Sequence, residues 1–264
     1  MKYFVFGDVH GFYSLLEQKL KSLGFDENNK DHMLISLGDN FDRGCENYQM
    51  YEFLLDMKNK NKIILVKGNH EDLFLKMLYR RKATYVDITN GTYGTLLEFV
   101  KHYFKDEDAE DLIYYSNSTI YSKLNDEGIL DFFYDMQDFY ETKNYIFTHG
   151  FIPINEEHMR YKRNWRDSTK EEFERSRWLN GIEMSKTYNI SGKGKKIVVG
   201  HFHTSYGHVR DKYKDKSLIE YRKLEFSDDA CFDIYEDSNI IALDACTALT
   251  KKINILVIDD EEML

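Results

Sequence analysis

HMLISLGDNFDRG (residues 32–44) begins as an apolar run and ends with two acids and an arginine held between glycines. Continuous apolar residues of this length predict a strand covered on both faces, as in a mostly parallel sheet. Asp39, Asp42 and Arg43 fall just past the predicted strand end. Carboxylates and a guanidinium are costly beside a core unless they are paired or serve chemistry. Gly38 and Gly44 let the backbone turn sharply around them.

Four more stretches share this design: KYFVFG (2–7), KIILVKG (62–68), NYIFTHG (144–150) and KIVVGH (196–201). Helical patterns separate the first three strands. FYSLLEQKLKSLG, after Gly11, sets Leu15, Leu16, Leu20 and Leu23 at helical spacing, with Gly24 as a C-cap. CENYQMYEFLLDMKNK (45–60) and EDLFLKMLYRR (71–81) read the same way. Strands alternating with helices predict an α/β core whose loops gather at the carboxyl ends of the strands.

Residues 82–143 lack that rhythm and predict a mostly helical cap insertion within a single domain spanning 1–264. Residues 155–190 predict a second, substrate-side insert. Its helix is expected to start at the box Ser168-Thr169-Lys170-Glu171 and to run to Asn180-Gly181. NGTYGT (90–95) reads as a loop. After residue 230, CFDIYED, NIIALDA and INILVID predict strands joined in a meander.

A length of 264 residues, 42% of them apolar and 31% charged, is ordinary for a globular protein with an ample core. The formal net charge of −10 opposes a duplex nucleic-acid partner, whose backbone is bound largely by Lys and Arg. A small phosphorylated partner stays compatible, because a local metal or arginine cluster can reverse the field. Cys45, Cys231 and Cys246 are widely spaced and outline no disulfide framework, so a reducing compartment is expected. No apolar run nears the ~20 residues that cross a bilayer. The expectation is therefore a cytoplasmic protein with no membrane partner.

Taken together, the strand ends carry Asp8-Val9-His10-Gly11, then Asp39 with Asp42-Arg43, then Asn69-His70-Glu71, then His149-Gly150, then His201 and His203. Such ends converge on one crevice in an open α/β sheet, so these side chains are expected to share a site. Carboxylate, amide and imidazole without thiolate form the ligand set of a Mn²⁺, Fe or Zn²⁺ centre. Asp-x-His is compatible with a single metal, because alternate residues on extended backbone share a side. Alone, an Asp-x-His or a Gly-Asn-His is commonly an ordinary turn. Five motifs in register with five strands carry the expectation. His32, His102, His158 and His208 read as ordinary surface or core histidines.

Gly7-Asp8-Val9-His10-Gly11, Gly38-Asp39-Asn40-Phe41-Asp42-Arg43-Gly44, Gly68-Asn69-His70-Glu71, His149-Gly150 and Gly200-His201 resemble the metallophosphoesterase (calcineurin-like) superfamily. More narrowly they resemble its serine/threonine phosphoprotein phosphatase branch. That branch includes phage and bacterial phosphatases and the symmetrical dinucleoside tetraphosphate hydrolases. NIIALDA (239–245) is similar to a late strand of the branch. One departure stands out. The branch usually reads Gly-His-Thr at its last motif, whereas this chain reads Gly200-His201-Phe202-His203-Thr204, like the GHxH ending of the wider superfamily.

The resemblance implies a four-layer αββα fold, two mixed sheets flanked by helices, and a pair of divalent metal ions, most often Mn²⁺ in vitro, with Fe or Zn²⁺ as alternatives. It implies that Asp8, His10 and His203 hold one metal, that Asn69, His149 and His201 hold the other, and that Asp39 bridges them. Asp42 would orient His70 as general acid, and Arg43 would grip the phosphate two-pronged, as lysine cannot. Asp8, Asp39 and a bridging hydroxide would leave the centre with about one positive charge, enough to attract phosphate in an acidic protein. The branch also places a substrate arginine between its last two histidine motifs, and Arg166 and Arg177 are the candidates here.

Blander readings stand beside these. Asp42 and Arg43 also fit a salt bridge steadying a loop, His203 a spectator, and Arg160–Arg177 a solvated helix approach of mixed charge. The implied activity is phosphomonoester hydrolysis by in-line attack of a metal-bridging hydroxide, resembling a serine/threonine protein phosphatase. The alternatives are an Ap4A-type dinucleoside polyphosphate hydrolase, another metallophosphodiesterase, or a catalytically silent regulatory binding protein.

Overall fold

The computed structural model describes residues 1–105, 107–115 and 117–261. In chain order its strands are β1 (Lys2–Phe6), β2 (His32–Ser36), β3 (Ile63–Leu65), β4 (Tyr140–Glu141), β5 (Tyr145–Phe147), β6 (Ile154–Asn155), β7 (Arg160–Tyr161), β8 (Lys196–Val199), β9 (Tyr235–Glu236), β10 (Ile240–Ala242) and β11 (Ile255–Asp259). The five apolar runs quoted above form β1, β2, β3, β5 and β8. They build two mixed sheets, in the orders β11-β1-β2-β3 and β4-β5-β8-β10-β9, and β6 pairs with β7 as a separate ribbon.

Period-2 alternation explains the layering. Tyr3 and Val5 of β1, with Ile35 and Leu37, face Phe147, Val198, Ile241 and Leu243 of the second sheet. Phe4, Phe6 and Leu34 point the other way, into helices that include Asn47–Asn59 and Asn69–Arg80. Ile146, Ile197, Val199, Ile240 and Ala242 do the same on the far side of the second sheet. Each fully buried side chain of this kind contributes about 1.5–3 kcal/mol. The result is helix, sheet, sheet, helix, the fold class expected from the resemblance.

Within each sheet the central strands run parallel: β1 with β2, β2 with β3, β5 with β8 and β8 with β10. Their carboxyl ends therefore open at one edge. Cross-links tie the ends together: Asp8 N–H donates to Gly38 O at 3.0 Å, and Gly200 N–H donates to His149 O at 2.8 Å.

Between residues 82 and 143 the chain forms the helices Tyr85–Asn90, Thr92–Tyr103, Ala109–Tyr115, Asn117–Asp126 and Ile129–Tyr134. They place Leu96, Phe99, Val100, Leu124 and Phe133 in the same core as Phe4 and Phe6, behind the first sheet.

Three expectations differ from what is observed. The terminal strands do not form a meander. β10 pairs with β8 and β9, and the chain then crosses over so that β11 lies antiparallel to β1 in the other sheet. The capping box lies one residue later than expected, with Thr169 accepting from Glu172 N–H, and its helix stops at Ser176. There the Ser176 carbonyl accepts from Phe151 N–H at 3.0 Å. A Cβ on Gly150 would lie 2.4 Å from the Arg177 carbonyl, so this close backbone packing takes the place of another helical turn. Asn180 then caps a separate helix, Gly181–Lys186. Finally, NGTYGT is not a loop, because the helix Thr92–Tyr103 begins inside it.

Candidate metal centre at the strand ends

The helix Asn69–Arg80 starts two residues before its apolar pattern does. Gly68 is its extended N-cap, and Glu71 at the third helical position accepts from Gly68 N–H at 2.8 Å. Asn69 and His70 consequently sit in the first turn, immediately beyond β3. Glu71 is wholly buried and also accepts from Asp39 N–H and Asn40 N–H, each at 2.9 Å. One carboxylate thus joins the tips of β2 and β3.

Asp8, His10, Asp39, Asp42, Arg43 and His201 all have positive φ, between 51° and 75°. A left-handed backbone costs a non-glycine residue about 1–2 kcal/mol. Strain gathered at polar strand tips is typical of a working site.

Asp39 is the hub. It belongs to two ligand-type groups, His10–Asp39–His70 and Asp39–His149–His201, whose donor atoms lie within 4.8 Å of one another. His10 Nδ1–H donates to Phe41 O at 2.9 Å and His149 Nδ1–H donates to Leu37 O at 2.8 Å. Because a carbonyl can only accept, Nδ1 of each ring carries a proton, and Nε2 is turned inward. His149 Nε2 lies 2.8 Å from Asn69 Oδ1 and 3.3 Å from Asp39 Oδ1. Asp8 Oδ1 accepts from His201 N–H at 2.8 Å, linking the first sheet to the second. Asp8 Oδ2 is buried with no hydrogen-bond partner. Gly200 allows this approach, since a Cβ there would stand 2.1 Å from Asp8 Oδ2.

An orphaned buried carboxylate oxygen beside Asp39, Asn69 and inward-facing imidazoles fits cation binding. The field agrees. Burial alone would raise the Asp39 carboxyl, but His149, His70 and His10 hold it well below the usual carboxylate range. Burial would lower His149, yet Asp39, Asp8 and Glu71 push it up to about 9. Burial and His149 hold His201 down to about 3, as a neutral ring. Asp8 is raised well above its ordinary value by burial and by Asp244.

His70 Nδ1–H donates to Asp42 Oδ2 at 2.6 Å. Burial disfavours its charged form, but Asp39 and Asp42 together hold its pKa above the ordinary value. Arg43 lies across the face of the site, with Nη1 2.9 Å from His10 Nε2 and Nη2 3.1 Å from His70 Nε2.

Not every residue expected at the site reaches it. His203 lies outside both groups, its Nε2 3.0 Å from Glu225 Oε2, and Glu225 also accepts from Arg210 at 2.6 Å. His201 is left-handed, so His201 and His203 are not on one extended strand. Asp8 and His10 share this left-handed backbone; His10 groups with Asp39 and His70, and Asp8 Oδ1 accepts from the His201 N–H. Arg166 pairs with Glu141, at 2.5 and 2.9 Å. Arg177 is buried between Asp72, at 2.6 Å, and Asp138. Among the described contacts, neither guanidinium touches the ligand groups, because carboxylates elsewhere occupy both.

Other residues at the site escaped the sequence. Asn47 Oδ1 accepts from Asp42 N–H at 2.7 Å, and Asn47 Nδ2 donates to Glu98 Oε1 at 2.6 Å. Thr92 and Thr95 donate to Asp42. Asp244 ends β10 much as Asp8 ends β1, so the strand-tip rule could have found it. The others carry no local signal.

Residues 1–242 match the family described as calcineurin-like phosphoesterase. Over 72 residues the chain is 43% identical to serine/threonine-protein phosphatase 2 of Escherichia coli (strain K12), covering 27% of this chain and 30% of that protein. Over 138 residues it is 28% identical to the asymmetrical bis(5'-nucleosyl)-tetraphosphatase PrpE of Anoxybacillus flavithermus (strain DSM 21510 / WK1), covering 48% of this chain and 54% of that one. The match thus spans about a third to a half of these relatives' length. A solved structure provisionally described as a diadenosine tetraphosphatase shares the fold, with a TM-score of 0.51, 13% identity, and coverage of 97% of this chain and 92% of that one.

Proposed function

We propose, for a chain that belongs to the calcineurin-like phosphoesterases, that it hydrolyses phosphomonoesters at a pair of divalent cations. Asp8, His10, Asp39, Asn69, His149 and His201 would hold the pair, with Asp39 between the two halves. The observation that carries the reading is Asp39's membership of both ligand groups. Two bound cations supply Lewis-acid charge and an activated water for in-line displacement at phosphorus.

The chain's own residues do the rest. Arg43 exchanges its imidazole contacts for two phosphate oxygens and aligns the ester. His70, its Nδ1–H donated to Asp42, presents Nε2 to the departing oxygen and delivers a proton there. Similarity to the Escherichia coli serine/threonine-protein phosphatase supports a phosphoprotein substrate. Similarity to the asymmetrical bis(5'-nucleosyl)-tetraphosphatase favours a second reading, hydrolysis of dinucleoside polyphosphates.

Turnover of p-nitrophenyl phosphate with added Mn²⁺ tests the class, and a phosphoserine peptide against diadenosine tetraphosphate tests the substrate. Chelation is expected to abolish activity, and His70→Asn to slow kcat on poor leaving groups by about 10²–10⁴-fold. Inactivity of the parent with every divalent metal would refute the proposal.

A further inference from the structure

We propose that Thr92 and Thr95 are positioning residues for phosphoester cleavage, locking the Asp42 carboxyl so that it aims the His70 ring at the departing oxygen. This rests on the general-acid reading of His70 given above. Thr92 Oγ1–H donates to Asp42 Oδ2 at 2.7 Å, the same oxygen that receives His70 Nδ1–H at 2.6 Å. Thr95 Oγ1–H donates to Asp42 Oδ1 at 2.5 Å, and Thr95 Oγ1 accepts from Asp42 N–H at 3.1 Å. Asp42, Thr92 and Thr95 are all fully buried.

The torsion that turns a carboxyl group is soft and broad, so packing alone does not fix the direction of Oδ2. Two hydroxyls, one on each oxygen, fix it. They are also neutral donors. A lysine or arginine in their place would neutralise Asp42 and weaken its hold on the imidazole. Threonines in a first helical turn commonly serve the helix itself. Here the start of the helix Thr92–Tyr103 has no side-chain cap, and both hydroxyls donate out of the helix to Asp42. The helices after residue 82 thus reach the chemistry through one carboxylate.

The test compares kcat and KM on phenyl phosphate, a poor leaving group, and p-nitrophenyl phosphate, a good one, at saturating Mn²⁺. Thr95→Val and Thr92→Val are expected to lower kcat on phenyl phosphate by about 10–100-fold, with KM within about twofold and a smaller loss on p-nitrophenyl phosphate. Thr95→Ser is expected to restore most of the rate. In a His70→Asn background, adding Thr95→Val is expected to cost less than about twofold, because residues acting through one another are not additive.

Equal losses on both substrates, no loss, or a full second loss in the His70→Asn background would overturn the assignment. If His70→Asn cleaves phenyl phosphate as the parent does, the general-acid reading falls and takes the threonines with it. If His70→Asn is slow while the threonine variants match the parent, only the threonine assignment falls. Should Thr95→Val fail to fold, Thr92→Val and Thr95→Ser still decide the outcome through the leaving-group comparison.

Discussion

Glu71 shows how one buried carboxylate shapes a site without being one of its proposed ligands. It accepts from the N–H groups of Gly68, Asp39 and Asn40, so the Asp39 hub takes its position from Glu71. Glu71→Ala would leave three buried donors without an acceptor and is expected to cost about 3 kcal/mol or more. Glu71→Gln keeps one carbonyl and should fall between. Urea unfolding of the three proteins checks this, and a Glu71→Ala protein as stable as the parent would contradict it. The same reasoning separates Asp42 from Asp39. One is enclosed by neutral and imidazole donors, and the other is surrounded by the imidazoles of His10, His70 and His149.

At the scale of elements, short polar links hold strand to helix. Glu141 of β4 accepts from Arg166, within the turn Trp165–Asp167, and from Lys195, just ahead of β8. Burial would raise the Glu141 carboxyl, but Arg166 and Lys195 hold it below its ordinary 4.5. A carboxyl depressed in the folded state stabilises above the unfolded pKa, and that contribution is lost as pH falls through the folded value. The gap in unfolding temperature between the parent and Glu141→Gln is therefore expected to be full at neutral pH and to close progressively below 4.5. A gap that stays constant into strong acid would show that the ion pairs contribute nothing. Arg166 thus has a structural job, as a partner of Glu141.

In the whole molecule, the site straddles two sheets. Asp8, Asp39 and Asn69 follow strands of the first, and His149 and His201 follow strands of the second. The packing between sheets therefore sets the distance between the halves. Ile35→Ala, between the sheets, and Ile240→Ala, on the outer face of the second, should each destabilise by about 2–5 kcal/mol. Bound cation stabilises the folded state by RT ln(1 + [L]/Kd), about 2.7 kcal/mol at a hundredfold excess over Kd. The rise in unfolding temperature on adding Mn²⁺ is expected to shrink in Ile35→Ala and to persist in Ile240→Ala. Equal responses in both variants would mean that the two halves do not depend on the gap between the sheets.

By itself the sequence determined five strands and which polar residues stand at their ends. Both follow from local information: apolar runs, glycine at the turn, and helical spacing after it. Only the tertiary structure decided where those side chains point. Left-handed backbone at His201 takes His203 off a shared extended line, and His203 meets Glu225. Distance along the chain hid the rest. Thr95 meets Asp42 across 53 residues, and β11 pairs with β1 from the opposite end of the chain. Neither contact leaves a periodicity or a spacing to read, because each depends on how separately formed elements pack rather than on how any one of them forms.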